Sequence, residues 1–361
     1  MSFKENPPQK ILIINIFGIG DVLFTTPLIS NLKAQYPNIK IGYLCNRRTE
    51  SVLRSYSKVD QVFVYERDEF NQLYRKSKIG FVKAMLEFWR TIKRERYDVV
   101  IDVSLSSFTS FFTWAIGIKE RIGFNYKNRS RWLSKKINLE GYEGRHVVDY
   151  YLSLLDDLGV ASKVRDLEIP ISIQDEEWVG SFLKNNKIAD KKYLIGLVPG
   201  GGASWGKDAI YKRWAPANYA KLADKMIEKY AAVIILVGDQ KEEALCREVS
   251  RLMQHPSLVV CGQTTISQFG ALAKKSSLMV LNDGGPLHMA VAAGAKTISI
   301  FGPVDEKVYG PYSSQGRHVV VTKNLPCRPC YRQFRRASCT HISCLQQITV
   351  EDVLSLVSLD L

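Results

Sequence analysis

Asp283 and His288 flank a Gly-Gly-Pro turn in the run Asn282 to Pro303, NDGGPLHMAVAAGAKTISIFGP. The apolar residues Ser277 to Leu281 read as a strand that would deliver Asp283 to the carboxyl edge of a parallel sheet, where open α/β sheets bind their ligands. Gly284 and Gly285 let the backbone approach an anion closely. The small-residue helix that follows aims its free N–H groups and positive dipole end at the same spot. The pattern predicts a cradle for a phosphorylated ligand. A plainer reading is that Gly-Gly-Pro simply starts a helix, with Pro286 in its favoured first-turn place.

Two other turns invite the same reading. Gly200, Gly201 and Gly202, with Ser204 beyond, follow the apolar run Tyr193 to Val198 and offer backbone and hydroxyl donors to an anion. Gly18-Ile19-Gly20-Asp21 follows the first strand and opens like a dinucleotide fingerprint. Leu23, however, occupies the third glycine's place, which speaks against a dehydrogenase.

Cysteine chemistry is confined to one stretch. Four of the seven cysteines are spaced Cys327-x2-Cys330-x8-Cys339-x4-Cys344. Both short spacings suit a structural zinc site, with His341 as a substitute ligand, and a cluster of reduced, packed thiols fits equally well.

These residues must be carried by something large. A chain of 361 residues suits two domains, and a hydrophobic content of 46% marks it as globular. There is no apolar run of about 18 or more residues to span a membrane. The opening MSFKENPPQK lacks the apolar core of a secretory signal, so the expected compartment is the cytoplasm.

From Lys10 onward, compact apolar runs alternate with amphipathic ones, the pattern of repeated βα units. Strands are expected at Ile11 to Ile16, Ile39 to Leu44, Gln61 to Tyr65 and Val99 to Val103, with helices at Lys78 to Arg96 and Val147 to Leu158. After Gly159 a charged connection through Asp175, Glu176 and Glu177 reads as the linker. A second series runs from the strand Tyr193 to Val198, through a helix at Pro216 to Tyr230 and a strand at Val233 to Val237, to a strand at Thr297 to Phe301. Thr349 caps a terminal helix.

The net charge of +14 favours an acidic partner. Lys127, Arg129, Arg131, Lys135 and Lys136, interleaved with Tyr126 and Trp132, form the densest cluster. No nucleic-acid-binding motif accompanies it, so no nucleic acid is expected as partner.

Nearly the whole chain resembles glycosyltransferase family 9, the bacterial heptosyltransferases. The resemblance rests on ILIINIFGIGDVLFTTPLISNLKAQYP, RIGFNYKNRSRWLS, LVPGGGASWGKDAIYKRWAPANYAKLADKM, LVGDQKEEALCREV and IFGPVDEKVYGP, together with the turn at Asp283. It implies an α/β fold of GT-B architecture, with two Rossmann-like domains whose parallel sheets face a central cleft. The expected division is 1–170 for the acceptor, 171–345 for the nucleotide-sugar, and a C-terminal helix at 346–361 free to pack back on the N-terminal domain.

The resemblance also implies inverting transfer of heptose from ADP-heptose to the lipid A core, a large anionic glycolipid. That work would be done at the cytoplasmic face of the inner membrane of a Gram-negative bacterium, by a peripheral protein. Alternatives are another nucleotide-sugar serving O-antigen, capsule or protein glycosylation, or a basic glycolipid-binding protein without turnover.

Inverting transfer needs a base at the acceptor hydroxyl. Asp21 matches the family's catalytic aspartate, and a helix cap for a helix starting at Val22 is its ordinary alternative use. Lys212 matches the family's basic residue at the donor phosphates, with Arg213 beside it and Lys207 as a rival. No Asp-x-Asp pair is present to hold magnesium, so fixed protein charge is expected to meet the leaving diphosphate without a cofactor. Glu242 matches a ribose-binding residue and Thr264 an adenine contact. Asp283 is expected near the donor sugar, while His288 either holds the turn or touches phosphate. Gly284 stands where relatives frequently carry Ser or Thr. Lys127, Arg129 and Arg131 are the expected acceptor contacts.

Overall fold

The computed structural model describes residues 7–359; the opening residues 1–6, where no secretory leader is expected, lie outside them. The chain forms two compact units. One takes the chain up to Tyr142 and Val147–Arg165, and the other takes Glu143–His146 and the described chain from Asp166 onward. Crossing near Arg165 falls a few residues before the expected division, and the brief excursion at Glu143–His146 has no signal in the sequence.

The first unit holds six parallel strands: β1 (Lys10–Ile14), β2 (Lys40–Cys45), β3 (Gln61–Val64), β4 (Val99–Asp102), β5 (Glu120–Tyr126) and β6 (Lys135–Leu139), in the order β3-β2-β1-β4-β5-β6. The second repeats that plan with β7 (Leu194–Val198), β8 (Val233–Leu236), β9 (Leu258–Val259), β10 (Leu278–Asn282), β11 (Thr297–Ile300) and β12 (His318–Val321), in the order β12-β11-β10-β7-β8-β9. Central strands such as LIGLV in β7 are buried along their whole length, as parallel strands covered on both faces must be. Strand order reverses between β1 and β4, and again between β7 and β10. Each reversal opens a crevice beyond the carboxyl ends of the strands, the place where ligands bind doubly wound sheets.

Two expectations are corrected. Asp175 and Glu176 are not a linker but the first turn of the helix Ile173–Asn185, closed by a reciprocal cap between Ser172 and Asp175. Acidic residues there complement the helix dipole, so the charge that suggested a solvated connection has a helical cause. The C-terminal helix Val350–Leu354, capped by Thr349, belongs to the second unit rather than the first. Ile348, Val350 and Val353 are buried in that unit's core, and Trp214 Nε1 donates to Ile348 O at 2.9 Å. A short apolar face next to a large buried indole has its partner at hand.

Candidate active site

At the switch point of the second sheet, Asn282 ties two loops together. Its Nδ2 donates to Pro199 O (2.8 Å) and Gly200 O (2.9 Å), while its Oδ1 accepts from Trp214 N (3.0 Å). A buried Asn at the carboxyl end of an otherwise apolar strand is the sequence signal for this role, since its amide must be satisfied by local backbone. Beyond it, Gly201 (φ +100°) and Gly202 (φ +73°) turn the chain through the left-handed region that favours glycine. Gly284 lies directly against them: a Cβ there would stand 3.0 Å from Gly202 N.

The second loop carries Lys212 into the same place. Lys212 Nζ lies 2.7 Å from Asp283 Oδ2 and 4.4 Å from the centre of the Trp205 ring. Lys212 and Asp283 are 8% and 3% exposed, so the residue expected at the donor phosphates and the aspartate after β10 form a nearly buried charge pair. The contact is one of charge rather than an aligned hydrogen bond. Lys207, the sequence rival, is exposed, as is Ser204.

Glu242 is buried in the short helical turn Gln240–Glu242 that follows β8. Its Oε1 accepts from Gly201 N (2.6 Å) and Arg213 Nη2 (3.2 Å), and its Oε2 accepts from Asp239 N (3.2 Å). Arg213 Nε in turn donates to Gly201 O at 3.0 Å. The structure therefore makes Glu242 and Arg213 fixers of the Gly201 peptide, whatever else Glu242 touches. A Cβ on Gly200 would fall 2.2 Å from the Glu242 carboxylate, which fixes that position as glycine. Thr264 is half-buried in the loop after β9, at the same carboxyl edge.

The helix Gly285–Ala292 starts at the turn with Pro286 in its first turn, and Gly284, Gly285 and Pro286 remain partly accessible. His288 is buried, and burial first, then the charges of His146 and Lys212, hold its imidazole well below the usual histidine range. It is neutral at pH 7. Any stabilisation of an anion by His288 is therefore dipolar, and the positive charge here comes from Lys212, Arg213 and the helix end.

In the first unit, Asp21 lies in the helix Ile19–Phe24, half-buried, with Gly18 in the capping position. It does not cap a helix beginning at Val22, because the helix has already begun. Asn15 Nδ2 donates to Asp21 O (2.9 Å), Asn15 Oδ1 accepts from Phe17 N (3.1 Å), and Asn46 Nδ2 donates to Ile16 O (3.0 Å). Two asparagines at the ends of β1 and β2 thus shape the turn that presents Asp21. Neither stands out in the sequence, where Asn after a strand reads only as loop.

The basic cluster divides. Lys127 and Arg129 lie over the Tyr126 ring at the end of β5, whereas Arg131 stacks on Trp132, whose carbonyl accepts from Arg121 near the start of β5. Only the first two stand at the carboxyl edge with Asp21.

Cys327, Cys330, Cys339 and Cys344 are free thiols. Burial and the neighbouring thiols raise the pKa of both Cys330 and Cys344. Among the described residues, no three His, Cys, Asp or Glu side chains converge as a ligand set for a metal. The segment does reach the loop that carries Lys212: the Tyr331 and Trp205 ring centres are 5.0 Å apart and Arg336 lies 3.8 Å from the Tyr211 ring centre.

Comparison with known proteins agrees with this architecture. The model of glycosyltransferase family 9 (heptosyltransferase) matches residues 85–341. Lipopolysaccharide heptosyltransferase 3 of Escherichia coli K12 is 26% identical over 303 residues, 81% of this chain and 83% of that protein. The lipopolysaccharide core heptosyltransferase OpsX of Haemophilus influenzae is 22% identical over 325 residues, covering 89% and 87%. Among solved structures, E. coli ADP-heptose lps heptosyltransferase II superposes with a TM-score of 0.74 at 20% identity over 96% of each chain. E. coli WaaC with ADP-2-deoxy-2-fluoro heptose does so at 0.69 and 16% identity, over 96% of this chain and 98% of that one. The fold is α/β of the GT-B type.

Proposed function

Because the chain belongs to glycosyltransferase family 9, the heptosyltransferases, we propose that this glycosyltransferase moves heptose from ADP-heptose, with inversion, to the inner core of lipopolysaccharide. The observation that carries this reading is the geometry at the carboxyl edge of the second unit's sheet: the Gly200–Gly202 turn, clipped by Asn282, with Lys212 held at Asp283. An acceptor hydroxyl oxygen forms the new bond to the anomeric carbon as the bond to the diphosphate breaks. Asp21 takes the hydroxyl proton, and ADP leaves with the bonding electron pair. Lys212 and the start of the helix Gly285–Ala292 meet the charge that grows on the diphosphate. Thr264 and Glu242 lie along the edge where adenine and ribose would extend, and Asp283 faces the donor sugar.

The acceptor is an anionic lipid A core glycolipid, with Lys127 and Arg129 as its contacts at the edge that carries Asp21. The protein works at the cytoplasmic face of the inner membrane as a peripheral protein; among the described residues, no helix is long and apolar enough to cross a membrane. No metal is needed at the reacting atoms. A zinc held by the four cysteines would be structural, bearing on the donor loop only through Tyr331 and Arg336.

One observation favours a second reading, a different nucleotide-sugar for another surface glycan. Gly284 supplies no hydroxyl, and the closeness of Gly202 N leaves little space for one. Incubating the protein with ADP-heptose, GDP-sugars and UDP-sugars and a truncated core glycolipid, then weighing the product, decides between them. ADP release with a heptose-sized mass increase is expected. Preference for a GDP- or UDP-sugar would overturn the donor assignment.

A further inference from the structure

Between β3 and β4 the first unit carries a pair of helices, Arg67–Lys76 and Lys78–Arg94, whose joining end is exposed. The first helix buries no residue, and the second buries only Met85, Trp89 and Ile92, leaving every side chain before Met85 partly or fully in solvent. Helix Lys78–Arg94 is about 25 Å long and β4 is about 13 Å, so the first half of the helix has no strand beneath it. Ser77 fixes the junction by accepting from Gly80 N (3.0 Å), and Tyr74 meets Phe81 edge-on with ring centres 5.3 Å apart.

The exposed end has an unusual composition. Tyr74, Ile79, Val82 and Leu86 are 50%, 71%, 51% and 46% exposed. Ile79, Val82 and Leu86 recur at helical spacing on one face. Arg75, Lys76, Lys78 and Lys83 surround them, all exposed, and no acidic residue occurs from Phe70 to Leu86. An apolar stripe bordered by four basic residues, with exposed Glu87 beyond Leu86 turned to Arg94 and a tyrosine at its margin, matches a bilayer interface: the stripe enters the acyl boundary and the cations meet anionic headgroups. A soluble monomer gains nothing from leaving such a stripe uncovered.

We propose that this helical pair docks the protein on an anionic lipid bilayer through Tyr74, Ile79, Val82 and Leu86, with Arg75, Lys76, Lys78 and Lys83 on the headgroups. The proposal locates the membrane contact of the reading above and rests on it for the presence of a membrane acceptor. The pair leaves β3 at the carboxyl edge of its sheet, the edge that also presents Asp21, so docking would bring that edge to the lipid surface.

The test is co-sedimentation of the full chain with vesicles of phosphatidylcholine, with and without roughly a third phosphatidylglycerol. Binding to the anionic vesicles alone, weakening as salt rises, is expected. The Ile79→Asp/Val82→Asp variant should lower the partition coefficient by at least about tenfold while melting temperature and nucleotide-sugar affinity stay put, since both residues are exposed. A patch elsewhere in the first unit, where exposed Trp114 and half-buried Trp132 pack with ring centres 4.3 Å apart, supplies the control. Trp114→Ala/Trp132→Ala should bind vesicles like the parent.

Absence of anionic-vesicle binding by the parent would overturn the proposal. So would loss confined to the tryptophan variant, unchanged binding by the aspartate variant, or a lipid-free dimer that the aspartate variant dissociates. Transfer to a soluble, deacylated acceptor is measured in parallel. Vesicle binding without transfer would count against the proposed function alone, and transfer without vesicle binding against the docking surface alone.

Discussion

Lys212 Nζ and Asp283 Oδ2 stand 2.7 Å apart with both side chains almost withdrawn from solvent. Because the pair joins the loop of Lys212 to the end of β10, each residue is a structural counter-charge as well as a proposed functional group. Lys212→Ala should therefore do two things. It should abolish most donor binding and transfer, and it should destabilise the fold by about 3–5 kcal/mol by leaving Asp283 buried without its partner. The Lys212→Met/Asp283→Asn double variant should regain most of that stability in thermal melts yet stay inactive. If Lys212→Ala melts like the parent, the ion pair is open to water in solution.

Asp21 is half-buried and does not cap its helix. Asp21→Ala should lower turnover by roughly 10² to 10⁴-fold with nucleotide-sugar affinity nearly intact. Stability should change by less than about 1 kcal/mol. Single-turnover transfer and donor titration measure the two quantities separately. Transfer at the parental rate would leave the base unidentified.

Gly200→Ala should destabilise by about 1–3 kcal/mol and weaken donor binding, because the new methyl would displace the Glu242 carboxylate that holds the Gly201 peptide. Gly180 offers the contrast, being exposed in the helix Ile173–Asn185, where an added methyl would meet no atom within 4 Å. Gly180→Ala should raise stability by about 0.5–1 kcal/mol. Denaturation of the two variants side by side checks both signs.

Strands buried on both faces are easy to read, because continuous runs such as KILII and LIGLV have few other uses in a chain this polar. Edge strands are harder: β9 is two residues long and half-buried, and β6 carries Lys135 and Lys136, so neither has an apolar run to announce it. The turns at Asp21 and Asp283 are legible because glycine and a carboxylate at a strand end have a local cause. Asn15 and Arg213 are not legible as clips, since an Asn after a strand reads only as loop and Arg213 holds Gly201 and Glu242 in loops far from it in sequence; Asn282 signals that its amide needs backbone partners but not which loops supply them. Glu242 is the intermediate case, where position along the chain suggests ligand contact and burial reveals a hold on the glycine turn.

Stability should fall as pH drops below about 6.5, for a reason that resides in two histidines. Burial holds His288 well below its ordinary pKa, and burial with Arg317 nearby lowers His318 to about 4. Both are neutral when folded at pH 6, whereas in the unfolded chain each takes up a proton through about pH 6.5. The unfolded state then binds more protons, so its free energy drops as pH falls. Each group contributes up to about 1.4 kcal/mol per pH unit, less for the half-exposed His318, whose contribution ends near pH 4. Urea denaturation between pH 7 and 4.5 should show this slope, and His318→Gln should reduce it. A parental slope in that variant would assign the effect to other groups.

Chelation should leave initial transfer rates unchanged, because Lys212, Arg213 and the start of the helix Gly285–Ala292 supply positive charge at the diphosphate site. Elemental analysis of the purified protein tests the four cysteines independently of activity. If they hold zinc, its removal should act slowly and through structure. Tyr331 and Arg336 would lose their packing on Trp205 and Tyr211, so donor affinity and melting temperature should decline together. Arg336→Ala should reproduce a milder form of the same decline without any chelator. An immediate loss of turnover on chelation, restored by magnesium with no change in melting temperature, would put a metal at the reacting atoms and overturn the metal-free mechanism.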